Sequence, residues 1–470
     1  MTGLHIHFFL GTIRRFFKRP SAWTGSACLT VCLVGLSVPG AFLQARELGI
    51  LQWQTPQGAR VLFLPAAGIP MVDVAVDIDA GSRWDPPQQS GLASMVQSLS
   101  ARGLRAQGAL PALSELAVNE AFSELAIQRG GAVTQDRTTL NFRFLSDAEV
   151  RDAAAVLASR LLAHPAFDAE IFDRERKRVL ASIRESLTQP QSIATRALWK
   201  SVYGEHPYGA QPTEASVGNL TVETLRAFHQ QYWVAQRMRV TLVGDMTEAQ
   251  ARAWVDQLLS HLPSSPAAST DKPLPSLVRP AAQRQSIEHP ATQSHVWLGT
   301  IAIARDDPDF FPLTVGNYIL GGGGFVSRLT AEIREKRGLS YSVFSAFQPL
   351  AQPGPFMVGL QTQSAKAPEA VTVVRDTLKK FLEEGPTEQE LKAAKQNLIG
   401  GFALRVDTNR KLLDNLAQIN FYDLPLNYLQ TWADRVAAVS IQDIRRAMNR
   451  AISLDQMSVV VVAGPQGYQP

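Results

Sequence analysis

Residues 221–246, "TVETLRAFHQQYWVAQRMRVTLVGDM", and residues 440–465, "SIQDIRRAMNRAISLDQMSVVVVAGP", follow one plan. Each opens on a hydroxyl residue suited to capping a helix, continues through an amphipathic stretch and ends in a β-rich run stopped by glycine. Thr221 and Ser440 are 219 residues apart, and Gly244 and Gly464 are 220 apart. Nearer the start of each half, "VDVAVDIDAGSRWDPPQQSGLASMVQSL" from Val72 sits against "SHVWLGTIAIARDDPDFFPLTVGNYIL" from Ser294, with Asp85-Pro86 and Asp307-Pro308 offset by 222. Three features in one order at one spacing identify a tandem duplication with a period of about 220 residues.

The join between the copies is the Pro-, Ser- and Ala-rich stretch "LPSSPAASTDKPLPSLVRPAA", residues 262–282, which lacks periodicity. It separates a first domain, 46–261, from a second, 283–470. Within the first, Val72, Val74, Val76 and Ile78 alternate as one face of a strand. Helical periodicity covers Leu110–Arg129, Ala169–Leu187 and Val222–Tyr232. The fold class is α+β: two homologous domains, each a mostly antiparallel sheet with helices packed on one side.

An apolar content of 45% with 19% charged residues is that of a globular protein. The 46 basic residues include Arg14, Arg15, Lys18 and Arg19 in residues 1–45, which hold no acid. Without them 42 bases balance 42 acids, and no basic cluster of the kind nucleic acid requires remains. Residues 1–45 have the form of an export signal: "RRFFKR", an uncharged run from Ser21, and a small-residue end at "AFLQA". An uncleaved membrane anchor is the alternative, because the run is almost long enough to span a bilayer. The expected location is periplasmic, with a membrane contact only if the leader is retained. Both cysteines, Cys28 and Cys32, fall inside the leader, leaving no disulfide framework and no thiolate metal site in the mature protein.

The stretch "GLASMVQSLSARG", residues 91–103, reads as a short helix between glycines whose outward positions carry only Ser94, Gln97 and Ser98. The remaining histidines (His164, His206, His229, His261, His289 and His295) never recur at three to five residues, so no helix presents two imidazoles to one metal. They are expected to be structural. No G-x-S-x-G elbow is present. "GGGG" at 321–324 is not followed by Gly-Lys-Ser/Thr and reads as a flexible turn before a helix. That helix, Ser327–Arg337, has basic residues in its last turn and Gly338 as its stop, and Tyr341–Phe347 alternates as a strand. A short reversal between them can bring Arg334 and Tyr341 to one edge, a permanent cation and a phenolic donor suited to holding a peptide carbonyl. From chemistry alone the simpler reading of the same residues is a capped helix whose basic residues are merely solvated.

Along nearly all of its mature length the sequence resembles the pitrilysin (insulinase) family of zinc peptidases, in particular its bacterial subunits of about this length. The resemblance runs through "GSRWDPPQQSGLA", "RGGAVTQDRTTLNFRFL", "HPAFDAEIFDRERKRVLASI", "YGEHPYG" and "FHQQYWVAQRMRVTLVGDM", and is most specific in "GGGGFVSRLTAEIREKRGLSYSV". The family's H-x-x-E-H motif follows the Gly-Leu-Ala of its first helix, two histidines binding zinc and the glutamate serving as general base. Here those positions are Ser94, Gln97 and Ser98, and the third ligand, a glutamate before an isoleucine, falls on Ser182. The resemblance thus implies a degenerate metal site and a protein that is no enzyme on its own and holds no cofactor. It also implies that Arg334 and Tyr341, at the family's spacing of seven, act in trans. They would bind peptide and stabilise the oxyanion in the active site of an H-x-x-E-H partner, which carries the zinc. The alternative is a catalytically silent scaffold subunit of a membrane or periplasmic complex.

Overall fold

The computed structural model describes residues 49–265 and 274–464. The leader, 1–45, and the middle of the proposed linker, 266–273, lie outside the described residues. The first sheet contains β1 (Leu51–Gln54), β2 (Arg60–Pro65), β3 (Met71–Ile78), β4 (Gln128–Val133), β5 (Thr138–Leu145) and β6 (Met238–Gly244), in the order β1-β2-β6-β3-β5-β4. The second contains β7 (Arg284–Glu288), β8 (Gln293–Ile303), β9 (Val343–Phe347), β10 (Gly354–Gln363) and β11 (Ser458–Ala463), in the order β7-β11-β8-β10-β9. Strand for strand this repeats β2-β6-β3-β5-β4. In both sheets one pair, β2–β6 or β7–β11, is parallel and every other pair antiparallel. The duplication read from the sequence is therefore present in the topology.

Alternation along β3 sorts its side chains. Val72, Val74, Val76 and Ile78 enter the core shared with α1 (Leu92–Ser100), α2 (Glu115–Glu124), α3 (Ala148–Ala163) and α4 (Ala169–Ser186), through residues such as Met95, Phe122, Leu161 and Phe172. On the opposite face Asp73 and Asp77 are buried and paired with Arg143 and Arg137 from the neighbouring strand and turn. Each half thus packs its own helices on one side of its sheet, as expected. The other side is covered by exchange. Helix α5 (Pro190–Tyr203) leaves its own half and packs Ala194, Leu198, Trp199 and Val202 against Ile301, Met357, Val460 and Val462 of the second sheet. Its counterpart one repeat later, Asn409–Phe421, packs Leu413, Leu416 and Ala417 against Leu62, Leu64, Ala75 and Val243 of the first. The continuous Val459–Val462 run fits this arrangement, since a strand covered on both faces has no polar side to alternate with.

The seam between halves is polar at its edges. Arg60 donates to the Asn420 side chain (3.0 Å) and carbonyl (3.1 Å) and pairs with Asp423, while Asn420 Nδ2 donates to the Val240 carbonyl at 3.0 Å. Tyr203 Oη donates to the Pro353 carbonyl at 3.0 Å. At the turn between β4 and β5, Asp136 is fully buried and accepts from four donors. Arg83 (2.6 Å) and Tyr208 Oη (2.5 Å) come from its own half, and Tyr422 Oη (3.0 Å) and the Ala351 amide (2.8 Å) from the other.

Two predicted helices have their predicted extents, Ala169–Ser186 with Leu187 as its cap and Val222–Tyr232. The third does not. Leu110–Arg129 yields only Glu115–Glu124, because Ser114 caps the helix by accepting from the Ala117 amide, Ala126 adopts a φ of 51° beyond its end, and Gln128 opens β4. The glycine run 321–324 also differs from expectation. A Cβ on Gly321 would lie 2.4 Å from Ser345 Oγ, so the run is packed against β9, and only Gly324, at φ +62°, faces open space.

His229 is a structural histidine. His229 is buried, with Nε2 2.7 Å from the Leu162 carbonyl, and burial pulls its pKa down to about 4. The bond requires a proton on Nε2, which the neutral ring carries as its Nε2–H tautomer; burial, against the pull of the carbonyl, is what keeps the ring neutral. An unfolded polypeptide takes up this proton near the ordinary value of about 6.5, so the stability contributed by His229 is complete above that value and lost as pH falls toward 4. His229→Gln, which can still donate to Leu162, should lack this term. The wild type is expected to lose up to about 3 kcal/mol relative to the variant across that window, read as the pH dependence of the difference in their urea-unfolding free energies.

Candidate functional site

Helix α1 is held from its N-terminus. Gly91 precedes it at φ 102°, and the buried Asp85 carboxylate accepts from the Gly91 and Ala93 amides, each at 2.8 Å. Burial pushes the Asp85 pKa up to about 7, against the pull of those amides. The helix then buries Leu92, Ala93, Met95, Val96 and Leu99, which leaves Ser94 exposed and Gln97 and Ser98 half-buried on the outer face.

Gln97 and Ser98 line one cavity of about 340 Å³, together with Arg102, Glu115, Asn119, Arg129 and Gly130. Gly131 of the edge strand β4 lies so near that a Cβ there would stand 2.7 Å from Gln97 Nε2 and 2.3 Å from the Thr139 carbonyl. Ser94 opens onto the adjacent cleft beside Asp85 and Ser90. Ser182 is exposed on α4, one position before the buried Ile183, and lines neither.

These four positions offer three hydroxyls and one carboxamide. A zinc ion requires neutral imidazoles, thiolates or carboxylates, and neither serine nor glutamine supplies such a donor at neutral pH. The residues do not fit the metal. Among the described residues no group of three His, Cys, Asp or Glu side chains could hold one. Gln97 also cannot accept a proton from water, so the position of the general base is chemically silent. The purified protein is expected to retain no stoichiometric zinc after dialysis, as measured by elemental mass spectrometry.

Sequence reasoning missed the charged residues of this cavity, Arg102, Glu115 and Arg129, and the ion pairs that extend from them. Arg102 pairs with Glu115 at 2.6 Å and Glu175 at 3.2 Å; Arg174 pairs with Glu115 at 2.8 Å and Arg178 with Glu175 at 2.7 Å. Burial opposes ionisation of both carboxyls, but the neighbouring guanidiniums hold Glu115 and Glu175 below the usual glutamate range. Arg129 stands apart. It donates to the Ala101 carbonyl (3.2 Å) and Asn119 Oδ1 (2.5 Å), lies 4.8 Å over the Phe122 ring and, among the described residues, makes no ion pair. Burial, then the charge of Arg102, lowers its pKa. The available signal was an isolated arginine set against two glycines in "QRGGAV".

The second candidate site lies in the other half. Ser327 caps a helical turn at Arg328–Thr330, which widens to a π-type turn over Ala331–Glu335. Gly338, at φ 57°, closes it by donating to the Arg334 carbonyl at 3.0 Å. Lys336 and Arg337 both pair with Glu332, at 2.7 and 2.6 Å. Arg334 makes no ion pair among the described residues; its guanidinium stacks 4.7 Å over Phe325, itself 71% exposed. Strand β9 begins at Val343, not at Tyr341, because Ser340 Oγ accepts from the Ser342 amide and donates to the Ser342 carbonyl, closing a local turn before the ladder. Leu339 and Ser340 are buried while the Tyr341 side chain, 87% exposed, projects into solvent. Neither Arg334 nor Tyr341 lines the cavity of Gln97 and Ser98.

Residues 60–215 match the domain described as "Insulinase (Peptidase family M16)", and residues 219–398 match "Peptidase M16 inactive domain". A crystal structure of a peptidase M16 inactive domain from Pseudomonas fluorescens superposes with a TM-score of 0.83 at 32% identity, over 90% of this chain and all of that one. The chain belongs to the M16 peptidase family. A "Non-peptidase homolog YmxG" from Helicobacter pylori is 25% identical over 406 residues, 84% of this chain and 89% of the relative. The periplasmic protease PqqL of Escherichia coli shares the fold, with a TM-score of 0.73 at 16% identity over 88% of this chain and 45% of that one. By its match to the inactive domain and its likeness to a non-peptidase homolog, this protein is a non-catalytic M16 member.

Proposed function

We propose that the protein is the non-catalytic subunit of a two-subunit zinc peptidase and that it supplies Arg334 and Tyr341 to the active site of an H-x-x-E-H partner of similar size. The observation that carries this reading is the state of those two side chains. Among the described residues Arg334 is a cation without a carboxylate partner, Tyr341 is a phenol held out into solvent, and neither lines the cavity of Gln97 and Ser98. A solvated surface arginine beside Glu332 would be expected to share that carboxylate; Lys336 and Arg337 take it instead. Phe325 and Val326, 71% and 74% exposed, border the same turn and are the kind of apolar surface that a protein partner covers.

In the assembled enzyme Arg334 orients the scissile carbonyl and the Tyr341 hydroxyl donates toward the oxygen on which negative charge develops. The partner's zinc belongs to the partner; the subunit described here contributes orientation and charge stabilisation. The substrate is a peptide. The leader-like residues 1–45 and the periplasmic location of the fold neighbour PqqL support export to the periplasm. Affinity capture of the tagged mature protein from its native source tests the pairing. Recovery of an H-x-x-E-H subunit in equal amount supports it. Recovery of this protein alone, or with a membrane complex that contains no such motif, favours the scaffold alternative.

A further inference from the structure

We propose that the cavity beside Gln97 is a binding site for a carboxylate carried by a polypeptide, received by the guanidinium of Arg129. Arg102, Arg129 and Glu115 line this cavity, and ion pairs join Arg102 and Glu115 to Arg174, Glu175 and Arg178 beyond the lining, giving four guanidiniums to two carboxylates. Three of the four are tied to those carboxylates, the group carries a net positive charge, and Arg129 is the one guanidinium among the four that pairs with neither carboxylate. Two contacts, to Ala101 and Asn119, hold its plane over Phe122, and the guanidinium, which lines the cavity, has further N–H donors beyond those two. A guanidinium fixed in this way is preorganised for a carboxylate, which its fork of donors matches in geometry and charge.

The α1 part of the lining supports the same ligand. Gln97 is neutral and its amide carries N–H donors, whereas a glutamate in its place would repel a carboxylate. The replacement that removes metal chemistry from α1 therefore also makes the pocket acceptable to an anion. Leu140, Phe142 and Leu161 complete the lining with apolar surface suited to the aliphatic part of an acidic residue or of a terminal residue. Gly130, where an added Cβ would meet nothing within 4 Å, leaves the β4 side of the cavity open.

The carboxylate can come from the C-terminal end of a polypeptide or from an Asp or Glu side group, and one experiment separates them. A short fluorescein-labelled peptide is made in three forms: a free C-terminus with an internal Gln, an amidated C-terminus with an internal Glu, and an amidated C-terminus with an internal Gln. Anisotropy titrations with the protein alone should show at least one acidic form binding about tenfold or more tighter than the neutral form. The form that does so names the source. The preference should shrink as salt rises, and both Arg129→Gln and Gln97→Glu should erase it. Gln97→Glu is nearly isosteric on a half-buried helix face, so it remains informative if Arg129→Gln fails to fold. Equal affinity for the three peptides, no measurable binding, or a preference that survives Gln97→Glu would overturn the assignment. No partner subunit is involved, so such a failure leaves the two-subunit reading untouched.

Discussion

Tyr341→Phe and Arg334→Ala, each introduced into this subunit and combined with the zinc-bearing partner, are expected to lower peptide turnover by about 10²-fold while leaving assembly intact. That magnitude is typical for deletion of one donor to a developing oxyanion. Tyr341→Phe removes a single hydroxyl from a side chain 87% exposed, so it takes nothing from the core. Arg334→Ala also removes the stack on Phe325, a contact of about 0.5–1 kcal/mol at an exposed site. Arg334→Lys, which keeps the charge and loses the planar fork, serves as its control. A fall in kcat with little change in KM marks a contact made in the transition state. The double variant is expected to be little worse than either single one, since residues that act on one group are not additive. Full activity in both single variants would leave the pair without a catalytic role and favour a scaffold.

The largest effect on stability is expected at Asp136. Asp136→Ala leaves the Arg83 guanidinium short of one buried carboxylate and strands the buried Tyr208 phenol, the half-buried Tyr422 phenol and the Ala351 amide. Loss of one partner from a buried, hydrogen-bonded charge costs about 3–5 kcal/mol, which is a large part of the stability of an ordinary domain. Burial and the Asp136 charge together push the Tyr208 and Tyr422 pKa values up, so both remain donors through the neutral range. Asp136→Asn keeps the shape and one acceptor oxygen and should cost less. Because two of the four donors come from each half, urea unfolding of Asp136→Ala should also broaden or divide, with the halves no longer melting as one unit.

How much of this could be read beforehand depends on the range of the signal. The repeat was legible because it is written in caps, helical period and glycine stops, all local features: Thr221 and Ser440 each cap their helix. The faces of β3 were legible from alternation alone. The exchange of α5 and Asn409–Phe421 was not, because an amphipathic helix declares that it has a partner without declaring which sheet. The over-long helix across Leu110–Arg129 failed for a different reason. Its period continues through Ala126, but a single backbone reversal there hands "QRGGAV" to the sheet edge. At the candidate site the loss of metal ligands could be read residue by residue, while the charge around Arg129 depends on three segments that meet only in the folded protein.

Helix exchange has a consequence for how the family's chemistry can be lost. The surfaces that join the two copies are the second faces of the sheets and the turn at Asp136. The surface that would hold a metal is the outward side of α1 and an exposed position on α4. No side chain at Ser94 or Ser182 is enclosed by the interior, and Gln97 and Ser98 are only half so. The two duties occupy separate sides of the architecture, so the catalytic positions are free to drift without loosening the joint. A gene copy released from hydrolysis could thus keep its shape, and with it whatever its other surfaces hold.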